Sequence, residues 1–309
     1  MKLFIQSALT VAILFGTQGA WADNPTTPDS SSTAANASAS GAQQPKMTKE
    51  EFLNSLHYQT GKITIPNGMA TLDLSDKFKY LPPADASRVL QAWGNPAADT
   101  QGMIVPADGD PLSQDGWGVI ISYMDDGHVK DNDADDIKYD ELLKTMQQAT
   151  LDHNEERTKA GYSPIKLEGW AEQPTYDKQT HKYYWAEDIS SAGQANHTLN
   201  YSVRVLGRKG VLVLNAMSNM DQLSSIKTQM KDVTAFSQFT PSNRYEDFDD
   251  KTDKVAAYGL AALVAGGVAA KLGLFAKLVA ILIALKKLIV VGVVAAFAGI
   301  KKFFGRKAT

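Results

Sequence analysis

The feature that most constrains this chain lies near its end. Residues 255–276 carry a single charge, Lys271, in a run of apolar and small side chains. A helix over that stretch would be roughly 33 Å long, enough to cross the hydrocarbon core of a bilayer. Lys271 lies close to one end, where its stem can carry the ammonium to the interface. Glu246, Asp247, Asp249, Asp250 and Asp253 stand just upstream, whereas residues 255–309 hold eight Lys/Arg and no Asp or Glu. The positive-inside rule then predicts one transmembrane helix at 255–276, with its downstream side in the cytoplasm.

The basic, apolar tail at 277–309 is expected to lie on the cytoplasmic leaflet, its lysines meeting anionic lipid. The alternative is a second span at 278–300. That span would bury Lys286 and Lys287 at its centre and carry Lys301, Lys302, Arg306 and Lys307 to the outer side, against the charge rule. Ala262, Gly266 and Ala270 recur every fourth residue, a spacing that lets helices approach closely and makes a homo-oligomer one expected partnership.

The other end has the form of a secretory signal. Lys2 precedes an apolar stretch containing Leu9, Val11, Ile13, Leu14 and Phe15, and Ala20-Trp21-Ala22 fits small-x-small processing, which predicts a signal peptide at 1–22. Residues 23–45 are almost all Ser, Thr, Ala, Asn, Gln and Pro. Such a segment buries too little apolar surface to offset its chain entropy and is expected to be a disordered linker. Both ends predict the same placement: the cytoplasmic (inner) membrane, with the folded domain at 46–254 in the periplasm.

Of the 31 basic residues, Lys2 and the eight in the tail lie outside that domain. The remaining 22 lie in residues 23–254 with all 34 acidic residues, a net charge of −12 for linker and domain together. An acidic body lacks the basic footprint that nucleic acid requires. The chain has no cysteine, so disulfides, thiolate metal sites and thiol catalysis are excluded.

Within the body, Thr48 and Glu51 have capping-box spacing ahead of a short helix. Ile63 and Ile65 alternate before Pro66-Asn67-Gly68, and Leu72 and Leu74 alternate after it, the pattern of a tight hairpin. Pro82-Pro83 opens a helix carrying Val89, Leu90 and Trp93. Strands are expected at 102–106 and 116–124, and a helix at 139–160 with Leu142, Leu143, Met146, Ala149 and His153 on one side. Hairpins are expected at 166–171/182–187 and 199–206/211–216, with a last helix at 221–239. Hairpin strands with helices between and after them imply an α+β fold, an antiparallel sheet covered by helices. The element order resembles the PsbP/Mog1-like sandwich, a likeness of fold that implies no function.

No Walker loop, GxSxG elbow, HExxH or dinucleotide-binding GxGxxG is present, and no cofactor is indicated. The segment at 168–188 gathers aromatic and ionisable residues. Trp170, Tyr184 and Trp185 are candidates to stack a sugar or peptide, and Glu168, Asp177 and His181 are candidates for acid–base chemistry. Alternating aromatics on a hairpin also arise simply from core packing and cross-strand pairing. Asp131, Asp133 and Asp135 have the spacing of the first three ligands of a calcium loop. Asp136 then stands where that loop needs Gly, and Leu142 where it needs Glu. An acidic loop before a helix explains the same residues through the helix dipole.

The segments IPNGMATLDL, LQAWGNP, DGWGVIISYMDDGHVKDNDADDI, GWAEQPTYDKQTHKYYWAED and LNYSVRVLGRKGVLVLNAMS occur in this order. Together they resemble the bacterial membrane-anchored proteins grouped as domain of unknown function 2167, over about residues 50–300. The resemblance implies a signal-bearing envelope protein with a C-terminal anchor, and no activity, substrate or catalytic residue. Two functions are therefore expected. The first is a non-enzymatic envelope module that binds the bilayer through 255–276 and its tail, and binds an envelope protein or a second copy through its body. The second is an envelope hydrolase or carbohydrate-binding enzyme using the hairpin at 168–188.

Overall fold

The computed structural model describes residues 47–95 and 97–265. They divide into two units: residues 47–129 with 138–256, and residues 130–137 with 257–265. The predicted signal peptide and linker, and most of the predicted span and tail, lie outside the described residues.

The larger unit begins with α1 (Lys49–Asn54), opened by the capping box that the sequence carries. Thr48 Oγ1 accepts from the Glu51 N–H, and the Glu51 carboxylate accepts from the Thr48 N–H. β1 (Lys62–Thr64) and β2 (Ala70–Asp73) form the expected hairpin. Gly68 sits at φ +73° in its turn, where its N–H donates to the Ile65 carbonyl at 2.8 Å. β3 (Phe78–Leu81) follows, then α2 (Pro83–Ala92), β4 (Gly102–Pro106), β5 (Gly118–Met124) and α3 (Tyr139–Lys159). β6 (Ile165–Asp177), β7 (Lys182–Ser191), β8 (Thr198–Leu206) and β9 (Val211–Asn219) run as successive hairpins, and α4 (Leu223–Phe236) and β10 (Ser237–Phe239) end the order.

Seven strands form one antiparallel sheet in the order β3-β4-β5-β9-β8-β7-β6, and β1-β2-β10 form a second, smaller one. The fold is therefore α+β with antiparallel sheets. On one face of the large sheet, Ile104, Val119, Ile121, Leu199, Val203, Leu212 and Leu214 join Leu72 of the small sheet and Ile226, Met230 and Val233 of α4 in a single core. Each such aliphatic residue contributes about 1.5–3 kcal/mol when fully buried. On the opposite face, α2 packs Val89, Leu90 and Trp93 against Leu81, Met103 and Val105 at the β3–β4 side. At the β6–β7 side, Leu143 and Met146 of α3 pack on Ile165, Leu167 and Ile189.

Two expectations are corrected, and one strand has no signal in the sequence. The last helix stops at Phe236, three residues early. The free edge of β2 is a better hydrogen-bonding partner for residues 237–239 than another helical turn, and the Ser237 hydroxyl donates back to the Val233 carbonyl at 2.7 Å. The strand expected at 116–124 begins at Gly118, two residues late. β3 was not anticipated, because four residues between a turn and a proline pair are too few to display a period. Helix α3 is as long as expected, but no residue on it is fully buried, so it lies on the sheet as a surface helix.

In the smaller unit, Asp133 stands in a turn directly ahead of the short helical turn Ala134–Asp136, and its Oδ1 accepts from the Leu260 N–H at 3.3 Å. Leu260 opens α5 (Leu260–Val264), where the described part of the predicted span ends. No described helix is long and apolar enough to cross a membrane.

Candidate functional site

The three residues considered for acid–base chemistry are not assembled into one site. Glu168 and Asp177 both lie on β6, nine residues apart, which places them roughly 25–30 Å from each other along an extended strand. The Glu168 carboxylate accepts from Lys166 Nζ at 2.5 Å and from the Ser190 hydroxyl at 2.6 Å, and these partners hold it below the usual carboxylate range. Asp177 organises the β6–β7 turn. It accepts from the Thr180 hydroxyl at 2.7 Å and the Gln179 N–H at 2.9 Å, contacts that lower its pKa as well. His181 stands in the same turn at φ +51°. Its ring stacks on Tyr245 at 4.0 Å, and its Nδ1 is 3.2 Å from the Tyr176 hydroxyl.

The aromatic candidates divide between the two faces of the sheet. Trp185 is 1% exposed and belongs to the interior. Trp170 lies opposite Glu187 in the β6–β7 register, on the same face as Trp185. Tyr184 projects from the other face, against the main core. The three rings do not form one stacking platform.

Sequence reasoning missed a buried polar row on the Trp185 face. Asn200, Ser202 and Arg204 alternate with apolar residues along β8, the pattern of a strand with one wet side. β8 is instead buried along its whole length. Glu187, 6% exposed, accepts from Trp185 Nε1 at 3.1 Å and from Asn200 Nδ2 at 2.9 Å. The Arg204 guanidinium lies 4.7 Å from the centre of the Trp185 ring and donates to Asn215 Oδ1 at 2.8 Å, which also accepts from the Ser202 hydroxyl. Burial pushes the Glu187 pKa up, against the opposing pull of its two donors and of Arg204.

Asp85, equally buried in the first turn of α2, behaves in the opposite way. Burial raises its pKa, but the His57 N–H and ring at 2.8 and 2.9 Å and Arg88 at 2.9 Å more than offset this, and the carboxyl stays below its ordinary value. Two neutral donors and one nearby cation do not match three direct donors at a helix start.

The two ends of β8 are built differently. At the Leu206 end, the strap at 241–256 closes over the β6–β7 and β8–β9 turns. Phe248, His128, Tyr245 and His181 follow one another in a run of rings with centroids 4.0, 4.3 and 4.0 Å apart. Arg208 Nε donates to Asp253 at 2.6 Å, and the Tyr245 hydroxyl donates to the Val129 carbonyl at 3.2 Å. The His128 N–H donates to the Lys254 carbonyl and the Ala256 N–H to the His128 carbonyl, both at 2.8 Å, in a parallel bridge. Gly127 is required there. Its φ is +106°, and a Cβ on it would stand 2.6 Å from the Lys254 carbonyl oxygen.

Among the described residues, no strap covers the Thr198 end. The His197 Nδ1 atom lies 2.7 Å from Asp188 Oδ1, with the two side chains 41% and 26% exposed. His197 lines an open cleft of about 290 Å³ with Ala195, Asn196, Asn219, Met220 and Asp221. The Met220 N–H donates to the His197 carbonyl at 3.0 Å and ties the two walls together. A second open cleft, of about 240 Å³, lies beside α1 and is lined by Tyr58, Lys79 and Asp110 among others. Its lysine is already engaged, donating to the Ala107 carbonyl at 2.7 Å.

Of the calcium candidates Asp131, Asp133 and Asp135, Asp133 is the cap of the Leu260 N–H. Among the described residues, no three His, Asp or Glu side chains are grouped to hold a metal ion.

No curated protein matches the chain. Cyanobacterial PsbP from Synechocystis aligns with 66% of it and 98% of that structure, at 10% identity and a TM-score of 0.33. The Ran-binding protein Mog1p of Saccharomyces cerevisiae aligns with 60% of this chain and 96% of its own, at 11% identity and a TM-score of 0.33. LpqN of Mycobacterium tuberculosis, described as involved in cell envelope biogenesis, aligns with 64% of this chain and 100% of its own, at 15% identity and a TM-score of 0.30. A family model described as "Protein of unknown function (DUF2167)" matches residues 57–297, most of both the folded body and the apolar tail, and the chain belongs to that family.

Proposed function

We propose that this chain is a binding module of the bacterial envelope, its body in the periplasm and its C-terminal segment in the cytoplasmic membrane. The observation that carries the reading is the strap. The residues directly ahead of the apolar run at 255–276 are fastened to the sheet by the ring stack, the Arg208–Asp253 pair and the parallel bridge at His128. These contacts keep the chain part of the folded body up to the residue where the apolar run begins, so body and predicted anchor follow one another directly with no free linker sequence between them. The acidic flank and basic tail on either side of the apolar run supply the orientation. Small residues at 262, 266 and 270 favour a second copy as one partner of the anchor.

The test is a series of C-terminal reporter fusions through residues 250–309, with protease added to spheroplasts. Fusions ahead of 255 should report the outer compartment and those beyond 276 the cytoplasm, and protease should reach the body. A body protected from protease, or a full chain recovered without membrane, overturns the reading.

A second reading, an envelope hydrolase or carbohydrate-binding protein, is favoured at one point only. That point is the Asp188–His197 pair beside an open cleft, and not the tip of the aromatic hairpin.

A further inference from the structure

We propose that the cleft beside His197 is the ligand site of this module, taking a small molecule that presents a hydroxyl or amino donor to His197 Nε2. The proposal rests on the reading of the body as a binding module and locates the site within it.

Asp188 Oδ1 lies 2.7 Å from His197 Nδ1, and a carboxylate can only accept there, so in the neutral ring the proton sits on Nδ1 and Nε2 is left as an acceptor. Among the described residues Nε2 has no partner, and the ring forms part of the cleft wall. A histidine oriented by a carboxylate with its second nitrogen at an open surface is the arrangement that receives a proton donor. The surroundings decide the class of that donor. Asp188, Asp221 and Glu168 outnumber Lys166 around the ring, which disfavours an anion. The Asn196 side chain is exposed and offers both a donor and an acceptor, and Met220 supplies an apolar wall. At about 290 Å³ the cleft has room for one ring-sized molecule rather than a polymer segment.

The site is also placed where a ligand could arrive. β8 runs nine residues from Thr198, next to His197, to Leu206 beside the strap. The cleft thus stands about 30 Å along the sheet from the point where the chain leaves for its anchor.

The experiment uses the full chain in detergent micelles, labelled with 15N at histidine and at backbone and side-chain amides. Glucose serves as a neutral hydroxyl donor, glucosamine adds an ammonium group, and inorganic phosphate is the anion. The His197 Nε2 resonance and the Asn196 amide should move saturably with glucose, glucosamine or both, and not with phosphate. The better of the two sugars separates a hydroxyl ligand from an amine ligand. In His197→Gln the Asn196 response should vanish. In Asp188→Asn the ring should show mixed tautomers before any ligand is added, and affinity should fall about tenfold. No saturable response to either sugar, an equal response to phosphate, or an Asn196 response unchanged in His197→Gln would overturn the proposal. Failure here with correct membrane fusions removes the site alone. A saturable response with failed fusions keeps the site and removes the anchor.

Discussion

The two ends of the large sheet use the same kinds of residue for different ends. At the strap end, His128 and His181 are enclosed in a run of aromatic rings, and Asp253 is held by Arg208. At the opposite end, His197 and Asp188 meet each other at the surface beside a cleft. Histidine and aspartate are thus consumed by packing at one end and left available at the other. What distinguishes the ends is the segment 241–256, which covers one set of turns and not the other. Residue identity alone does not separate the two ends, and the presence or absence of a covering segment does.

That contrast can be broken most severely at Gly127. A β-branched side chain would be forced into a left-handed backbone conformation and against the Lys254 carbonyl. Gly127→Val should therefore cost about 3 kcal/mol or more in denaturant unfolding. It should also open the strap to protease while the His197 end keeps its native amide signals. If both ends loosen together, they are not independent and the comparison fails.

Glu187 stands between the two ends, and its effect should be of the order of 1 kcal/mol. Its folded-state pKa lies above the ordinary 4.5, because burial disfavours the carboxylate. Its contribution to stability is then full below that ordinary value and is lost as pH rises through the raised one. Glu187→Gln should flatten this decline in a stability-against-pH series. It should be tolerated because the Asn200 Oδ1 atom, buried without a partner, can turn toward the new amide. Asp85→Asn should do the reverse, removing stability that the native carboxylate supplies above about pH 3.8 and that is lost as pH falls through its lowered value. Parallel responses from the two variants would contradict the opposite environments described for them.

The smallest effect is expected at His197. Its replacement by Ala should change unfolding stability by less than about 0.5 kcal/mol, because the ring is part-exposed and bonded to a single surface carboxylate. A loss several times larger would make this pair a structural fastening like those of the strap.

Local signals carried much of the fold. The Thr48–Glu51 box, the turn at Gly68, the Pro83 helix start and the starts of β4 and β8 all depend on neighbours within a few residues, and each can be read from the chain. What escaped the sequence depends on partners far away. Residues 237–239 become a strand only because β2 offers an edge some 165 residues upstream. The alternation of polar and apolar residues on β8 is the pattern of a strand with one wet face, but the strand is central in a seven-stranded sheet, and both of its sides are covered. The strap has no period at all, and its sequence reads only as the acidic flank of an apolar run. Its order comes from Tyr245 and Phe248 inserting around His128, more than a hundred residues away in the chain.

The candidate site was legible only in its parts. Asp188 and His197 are nine residues apart across the β7–β8 connection, and a hairpin register, not a motif, brings them to 2.7 Å. Histidine and carboxylate at that spacing have no signature of their own. The aromatic segment at 168–188, in contrast, stood out in the sequence because strands select aromatics, and its most prominent members were drawn into the core.

The parallel bridge at His128 has a mechanical consequence. Tension applied to the chain beyond Ala256 is met first by the pair of hydrogen bonds joining residues 254 and 256 to His128, and then by the Arg208–Asp253 pair. The nine-residue ladders of β8 and β9 lie behind these contacts and carry no load until they have parted. A pull on the tail should therefore release a short length of chain as a first, separate event, leaving the sheet intact as a shock absorber leaves its frame.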